Sequence, residues 1–304
     1  MTGRSVLVIG GAGFIGRALT VGLLAEGFQV HVLARSVPSE EVAGAMYHVR
    51  SMTDRDFVLP LLDSCPAVIH AASGTTPGSS SRSPTAEVRL NIEPTLGLLE
   101  IAREHPPERL VFLSSGGTLY ADATSCADES QPPRAHSYHG AGKIALEAFF
   151  RAFAWESGCS LSVLRPSNVY GPGQEMRRGF GFVRAALECA LRGEALEVWG
   201  DGTAIRDFLY IDDLVAAVMV ALTAPAGHAV FNVASGKGHS LSDVVELVQR
   251  VSGRPLQVIH RSGRRSDVRR VSLNISLIRE RLGWRARVGL EDGLARTWQW
   301  MQTI

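Results

Sequence analysis

The chain has 304 residues, 45% hydrophobic and 20% charged, with a net charge of +1. That length suits one large α/β unit or two packed lobes rather than a minimal domain. The near-neutral charge excludes a strong field selecting nucleic acid or an anionic membrane, and the longest apolar run, Leu214–Ala224, is too short to cross a bilayer.

The first half alternates two textures. Ser5–Ile9 is a continuous β-rich run, and Phe14–Glu26 has helical spacing that stops at Gly27. Strands are predicted at Gln29–Leu33, Tyr47–Val49, Ala67–His70, Arg109–Leu113 and Leu161–Leu164, and helices at Asp54–Leu62, Glu87–Glu104 and His139–Ser157. Short apolar strands alternating with helices imply an α/β fold, a Rossmann-type doubly wound parallel sheet covered on both faces, with right-handed crossovers. Ser73–Ser83 is rich in Ser, Gly, Thr and Pro and reads as a mobile surface loop. After Arg165-Pro166 Gly and Pro punctuate shorter elements. The expected division is a dinucleotide-binding domain over residues 1–165 and a smaller, partly interwoven lobe over 166–304.

Cys65, Cys126, Cys159 and Cys189 are far apart and form no CxxC pair. That spacing argues against zinc or a disulfide scaffold and for buried small apolar residues in a reducing compartment. The N-terminus enters Ser5–Ile9 without a basic leader, so a cytoplasmic protein is expected.

Gly10-Gly11-Ala12-Gly13-Phe14-Ile15-Gly16 follows the first strand and opens the first helix. Gly10 permits a tight turn, Gly13 lets a pyrophosphate approach the backbone, and Gly16 allows close helix–strand packing. The phosphates would lie on the amides at the start of the helix, around Phe14 and Ile15. An acidic residue that would bind the ribose hydroxyls of NAD is expected at Ala34 and is missing. Arg35 follows, and an arginine can pair with a 2′-phosphate. NAD and NADP therefore both stay open, as does a plain solvent role for Arg35.

Further markers are Val68-Ile69-His70-Ala71-Ala72, Asn91 before Leu96–Ala102, Ser114-Ser115-Gly116-Gly117-Thr118-Leu119-Tyr120, Gly140–Lys143, Leu164–Gly173 and Trp199–Asp213. With the glycine run they give the chain a resemblance to the extended short-chain dehydrogenase/reductases, and within these to the NAD-dependent epimerase/dehydratase family, nearest its nucleotide-sugar 4-epimerases. The resemblance spans nearly the whole chain. It implies a cofactor in the N-terminal lobe, near Ala71, Ala72, Asn91, Ser114, Lys143 and Pro166. It implies a nucleotide-sugar against the C-terminal lobe, touched by Asn168, with Arg206 and Arg264 as phosphate clamps. Arginine's planar fork suits that task. No metal is implied. A homodimer is, through helices matching Asn91–Glu104 and His139–Ser157, the second of which carries Phe149, Phe150, Phe153 and Trp155.

The family's proton transfer uses a tyrosine four residues before a lysine, with a serine or threonine completing the hydrogen bonds. Lys143 is present, but His139 fills the tyrosine position and Tyr138 lies one residue early, about 100° around a helix. Neutral imidazole is a competent base near neutral pH. The hydroxyl position falls on Gly116, flanked by Ser115 and Thr118. The candidate catalytic set is therefore His139, Lys143, Thr118 and Ser115. Three functions follow: inversion of C4 of a nucleotide-sugar through a 4-keto intermediate with bound NAD, NADPH-dependent reduction of a keto-sugar nucleotide, or nucleotide-sugar binding with little turnover.

Overall fold

The computed structural model describes residues 4–38, 40–120, 126–176, 181–263 and 268–303. The chain divides into two interleaved units: Met1–Ser115, Ser137–Arg165 and Val215–Phe231 form the first, and Gly116–His136, Pro166–Leu214 and Asn232–Ile304 the second. Among the described residues the strands, in chain order, are β1 (Ser5–Ile9), β2 (Gln29–Ala34), β3 (Met46–Val49), β4 (Ala67–His70), β5 (Arg109–Leu113), β6 (Ser160–Pro166), β7 (Asn168–Tyr170), β8 (Leu196–Trp199), β9 (Ile205–Tyr210), β10 (His228–Val233), β11 (Gly238–Ser240) and β12 (Val258–Arg261).

The first unit is built on a seven-stranded sheet of order β10-β6-β5-β4-β1-β2-β3. The pairs from β3 to β6 are all parallel, with Val6 opposite both Val30 and Ala67. Every residue of β1 and of β6 is buried. Their unbroken apolar runs reflect a sheet covered on both faces. Strand order reverses between β1 and β4, so the loops leaving these two strands diverge. In such sheets that crevice is where ligands lie.

Ala67–His70 and Arg109–Leu113 occur with the bounds predicted from sequence. Several others shift by one or two residues at their ends, and two segments differ in kind. Ser73–Ser83 is not simply a loop: Pro77–Arg82 is a helix. Thr76 Oγ1 accepts from Ser79 N at 3.2 Å while Ser79 Oγ accepts from Thr76 N at 2.8 Å, a capping box with proline at the first helical position. Ser, Thr and Pro are helix-start residues as well as loop residues. The long helix predicted over Glu87–Glu104 is broken into Pro84–Glu87, a π-helical turn over Val88–Ile92, and Glu93–Ala102. Pro94 has no N–H to offer the Leu90 carbonyl four residues back, and the wider turn absorbs that gap.

The helix Tyr138–Ser157 is capped by Ser137, whose Oγ accepts from Gly140 N at 3.1 Å, and ends at Gly158 in the left-handed conformation, φ 73°. Its buried face carries His139, Lys143 and Glu147 at successive i, i+4 positions, then Phe150 and Phe153.

The second unit holds a three-stranded sheet, β11-β9-β7, and the parallel pair β12-β8. Three of its helices are Phe182–Arg192, Leu241–Ser252 and Leu290–Met301. The Asp207 carboxylate, fully buried, accepts from Ser167 Oγ, from Ser235 N and Oγ, and from Gly236 N at 2.8–3.0 Å.

All four cysteines are free, but they are not uniformly buried. Cys65 and Cys159 are sealed in apolar surroundings, which push both thiols up. Cys126 is exposed, against expectation, because it follows β5 in a connecting segment rather than lying on a core face. Among the described residues no helix is long and apolar enough to cross a membrane.

Candidate active site

Gly10 follows β1 and Ala71-Ala72 follow β4, so both loops lie at the crevice. Gly10 has φ +86°, and a Cβ there would stand 2.6 Å from Ala72 Cα. A Cβ on Gly16 would meet Gly10 O at 2.2 Å, so the helix Phe14–Ala25 approaches the turn closely. Gly13 differs: a Cβ there has nothing nearer than Gly10 O at 3.5 Å, leaving the space above it open. Gly13 caps that helix with no side-chain hydrogen bond, so no capping side chain takes the amides at its start. An open backbone concavity with a helix dipole behind it fits a pyrophosphate. Arg35 is exposed just past the end of β2.

The second cluster lies on the helix Tyr138–Ser157. Lys143 is buried; its Nζ donates to Leu113 O at 2.8 Å and stands 4.9 Å from the centre of the Phe112 ring. Burial pushes its ammonium down to about 8, against the pull of Glu87 and Glu147. His70 is also sealed, and burial, then the nearby Lys143 ammonium, push it down to about 3. Its imidazole is therefore neutral at physiological pH.

His139 turns inward while Tyr138 keeps 53% of its surface exposed. His139 Nδ1 lies 3.1 Å from Thr75 Oγ1 and 3.7 Å from Glu87 Oε2. Thr75 Oγ1 donates to Glu87 Oε2 at 2.5 Å, and Asn91 Nδ2 donates to Thr75 Oγ1 and Glu87 Oε1, each at 2.8 Å. Asn91 Oδ1 accepts from Gly74 N at 2.6 Å. Burial opposes the Glu87 charge, but the neighbouring His139 ring and hydrogen bonds from Thr75 and Asn91 outweigh it and hold the carboxyl below its usual range.

Ser114, at the end of β5, has its hydroxyl committed: Oγ donates to Glu147 Oε1 at 2.5 Å. Glu147 is held in a buried bidentate pair by Arg165, through Nε at 2.9 Å and a terminal nitrogen at 2.6 Å. Ser115 is half-buried.

The second unit carries Thr118, Pro166, Asn168 and Arg206. Thr118 Oγ1 is sealed with no hydrogen-bond partner, one of two such side-chain atoms among the described residues, with His70 Nδ1. Asn168 Nδ2 donates to the main-chain oxygen of Asp207 at 2.9 Å. Arg206 lies on β9, the strand paired with that of Asn168, and one of its terminal nitrogens donates to Ile205 O at 2.8 Å. Arg264 lies outside the described residues.

Residues 6–234 match the NAD dependent epimerase/dehydratase family. The chain belongs to that family. A UDP-glucose 4-epimerase of Mycolicibacterium smegmatis is 32% identical over 301 residues, 96% of this chain and 96% of the relative. Among solved structures, a UDP-glucose 4-epimerase of Thermotoga maritima with UDP-glucose superposes with TM-score 0.92 and 31% identity, covering 98% of this chain and 99% of the other. A UDP-glucose 4-epimerase of Thermus thermophilus in complex with NAD gives 0.91 and 30%, with coverage of 98% and 99%.

Within this epimerase/dehydratase chain, the sequence reading passed over Thr75, Glu87, Glu147 and Arg165. A signal for Glu87 was available: it precedes Asn91 by four residues, the spacing that puts two side chains on one helical face. Thr75 carried none, since it sits in a segment read as a loop.

Proposed function

We propose that this protein is an NAD-dependent nucleotide-sugar 4-epimerase in which His139, rather than a tyrosine, exchanges the proton of the sugar hydroxyl. The observation that carries the reading is the placement of His139 and Lys143 one helical turn apart, both buried, in a unit whose glycine turn fits a dinucleotide. Gly10, Gly13 and the amides of Phe14 and Ile15 would hold the pyrophosphate, with Ala71, Ala72, Asn91, Ser114 and Pro166 around the cofactor. NAD, when bound, supplies a hydride acceptor that returns the hydride to either face of C4. Lys143 would hold the nicotinamide ribose and keep positive charge beside the developing oxyanion. Ser115 or Thr118 would supply the hydroxyl missing at Gly116. Asn168, Arg206 and Arg264 would bind the diphosphate of the substrate. The relatives' UDP-sugars support a UDP-sugar as that substrate.

The assembly we propose is a C2 dimer through the helices Glu93–Ala102 and Tyr138–Ser157. On the latter, Phe149 is 42% and Trp155 81% exposed, an outer apolar face that a second copy would cover. The protein is expected to elute as a dimer by light scattering.

The function is tested by denaturing fresh protein, identifying the released dinucleotide, and following UDP-, dTDP- and GDP-sugars by NMR for C4 inversion. Released NAD and interconversion of a C4 pair of epimers are expected. Release of NADP, or sugar reduction at the expense of NADPH without inversion, would overturn the reading.

A further inference from the structure

We propose that Glu87 and Thr75 form a positioning relay behind His139, fixing its tautomer so that Nε2 is the proton-exchanging atom and stabilising the imidazolium formed during turnover. The inference rests on the reading of His139 as the proton-exchanging residue.

Counting protons sets the tautomer. Thr75 has one hydroxyl proton, and it is given to Glu87 Oε2 at 2.5 Å. Its oxygen already accepts from Asn91 Nδ2 at 2.8 Å. What remains at Thr75 Oγ1 is a lone pair facing His139 Nδ1 at 3.1 Å, and the other group near Nδ1 is the Glu87 carboxylate at 3.7 Å. Both are acceptors, so Nδ1 carries the hydrogen and the neutral ring keeps its basic lone pair on Nε2. Nε2 makes no hydrogen bond to the described residues, and it is not among the sealed partnerless atoms. It therefore retains contact with solvent.

The charge balance gives the relay its purpose. With NAD bound to accept the C4 hydride and give it back, His139 Nε2 would take the proton of the sugar hydroxyl as the ketone forms, leaving an imidazolium, and would return that proton to the oxygen as C4 regains its hydride. That imidazolium forms one helical turn from the Lys143 ammonium, which opposes it. Glu87 supplies the compensating negative charge. Among the described residues the ionisable side chain set against the ring is Glu87, at 3.7 Å, and Lys143 stands one turn along the same helix; the helix Pro77–Arg82 meets His139 through Ser80 Oγ, which accepts from its main-chain amide at 3.2 Å. The packing is cut to admit the carboxylate: a Cβ on Gly142 would lie 2.4 Å from Glu87 Oε1 and 2.8 Å from its carboxyl carbon.

The test uses the full-length protein with its bound dinucleotide and compares wild type, His139→Ala, Glu87→Gln, Glu87→Asp and Thr75→Val. Glu87→Gln is expected to lower kcat by about 10²-fold, as loss of the group orienting a catalytic imidazole does, with KM within about threefold. Thr75→Val, which keeps the carboxylate but cuts the bridge, should lower kcat in the same direction with KM little changed. Glu87→Asp should recover part of the rate. Nitrogen-15 NMR of the histidines should show Nδ1–H at His139 in wild type. A wild-type rate in Glu87→Gln, or an Nε2–H tautomer, would overturn the relay; so would a slow variant that keeps the wild-type Nδ1–H signal or that Glu87→Asp does not rescue, since that marks a purely structural role. Should Glu87→Gln not fold, Thr75→Val is read for the same kcat loss and tautomer. His139→Ala separates the two levels: full activity there defeats the function proposed for His139, whereas an inactive His139→Ala beside an unaffected Glu87→Gln defeats the relay alone.

Discussion

The glycine turn and the His139 corner are both polar sites in the first unit, and they are built in opposite ways. The turn is made of backbone: seven consecutive residues, Gly10–Gly16, set a positive φ, an uncapped helix start and an open space above Gly13. The corner is made of side chains from three distant segments, Thr75, Glu87–Asn91 and His139–Lys143, joined by hydrogen bonds of 2.5–3.1 Å. A backbone site is fixed by local geometry and tolerates side-chain changes wherever neither a positive φ nor a close backbone approach excludes a Cβ. A side-chain site fails at any one member, because a buried polar group left unpaired costs more than the bond was worth. The two should therefore fail separately.

The largest expected effect lies in the corner. His139→Ala should lower turnover by about 10³-fold, about 4 kcal/mol of transition-state stabilisation, as loss of a general base does. The dinucleotide should remain bound, because no residue of the turn is touched. Steady-state kinetics beside the dinucleotide content of the purified variant read both. Full turnover would remove His139 from the chemistry.

The converse break is Gly10→Val. The left-handed conformation at φ +86° costs an L-residue about 1–2 kcal/mol, and the collision with Ala72 Cα at 2.6 Å forces the β1 and β4 loops apart. Protein recovered from this variant should contain little dinucleotide, and its melting temperature should fall. Normal dinucleotide content would mean that the crevice between these loops is not the cofactor site.

This contrast also decides what could be read from sequence. A local backbone site leaves a contiguous signature, so the glycine turn, the central strands and Lys143 were all legible. Thr75 was not: a Ser/Thr/Pro-rich stretch reads equally as a loop or as a capped helix start, and only the packing of Pro77–Arg82 chooses. Glu87 was half legible, through its spacing to Asn91, but its partner in space comes from 52 residues later in the chain. The π-helical turn at Val88–Ile92 could be traced to Pro94 only after the helix was seen to continue past it.

Lys143 belongs to both constructions, since it stands on the corner's helix and would reach the cofactor, and pH can expose that double role. Burial lowers its ammonium to about 8, so the charged form is lost as pH rises through that value. Turnover should fall above about pH 8. Stability should respond with the opposite sign. The unfolded lysine holds its proton up to its ordinary value of 10.5, so the cost of burying the charge, present below pH 8, is relieved between 8 and 10.5. The difference in urea midpoint between wild type and Lys143→Met should therefore shift in favour of the wild type across that window. A turnover profile flat to pH 10 would show that the ammonium form is not required.

The smallest expected effect concerns the proposed adenosine end of the cofactor, where the backbone cradle would give way to one exposed side chain. Arg35 directly follows Ala34, the last residue of β2 and the place where a carboxylate would select ribose hydroxyls over a 2′-phosphate. Arg35→Asp should raise the ratio of NAD to NADP affinity by about tenfold, about 1.4 kcal/mol. Turnover of the NAD-loaded protein should stay within about threefold, because the reacting carbon lies at the other end of the dinucleotide. Competitive displacement of NAD by NADP from the two proteins measures the ratio. An unchanged ratio would place Arg35 in solvent, and the choice between dinucleotides would then rest on the cradle and the corner alone.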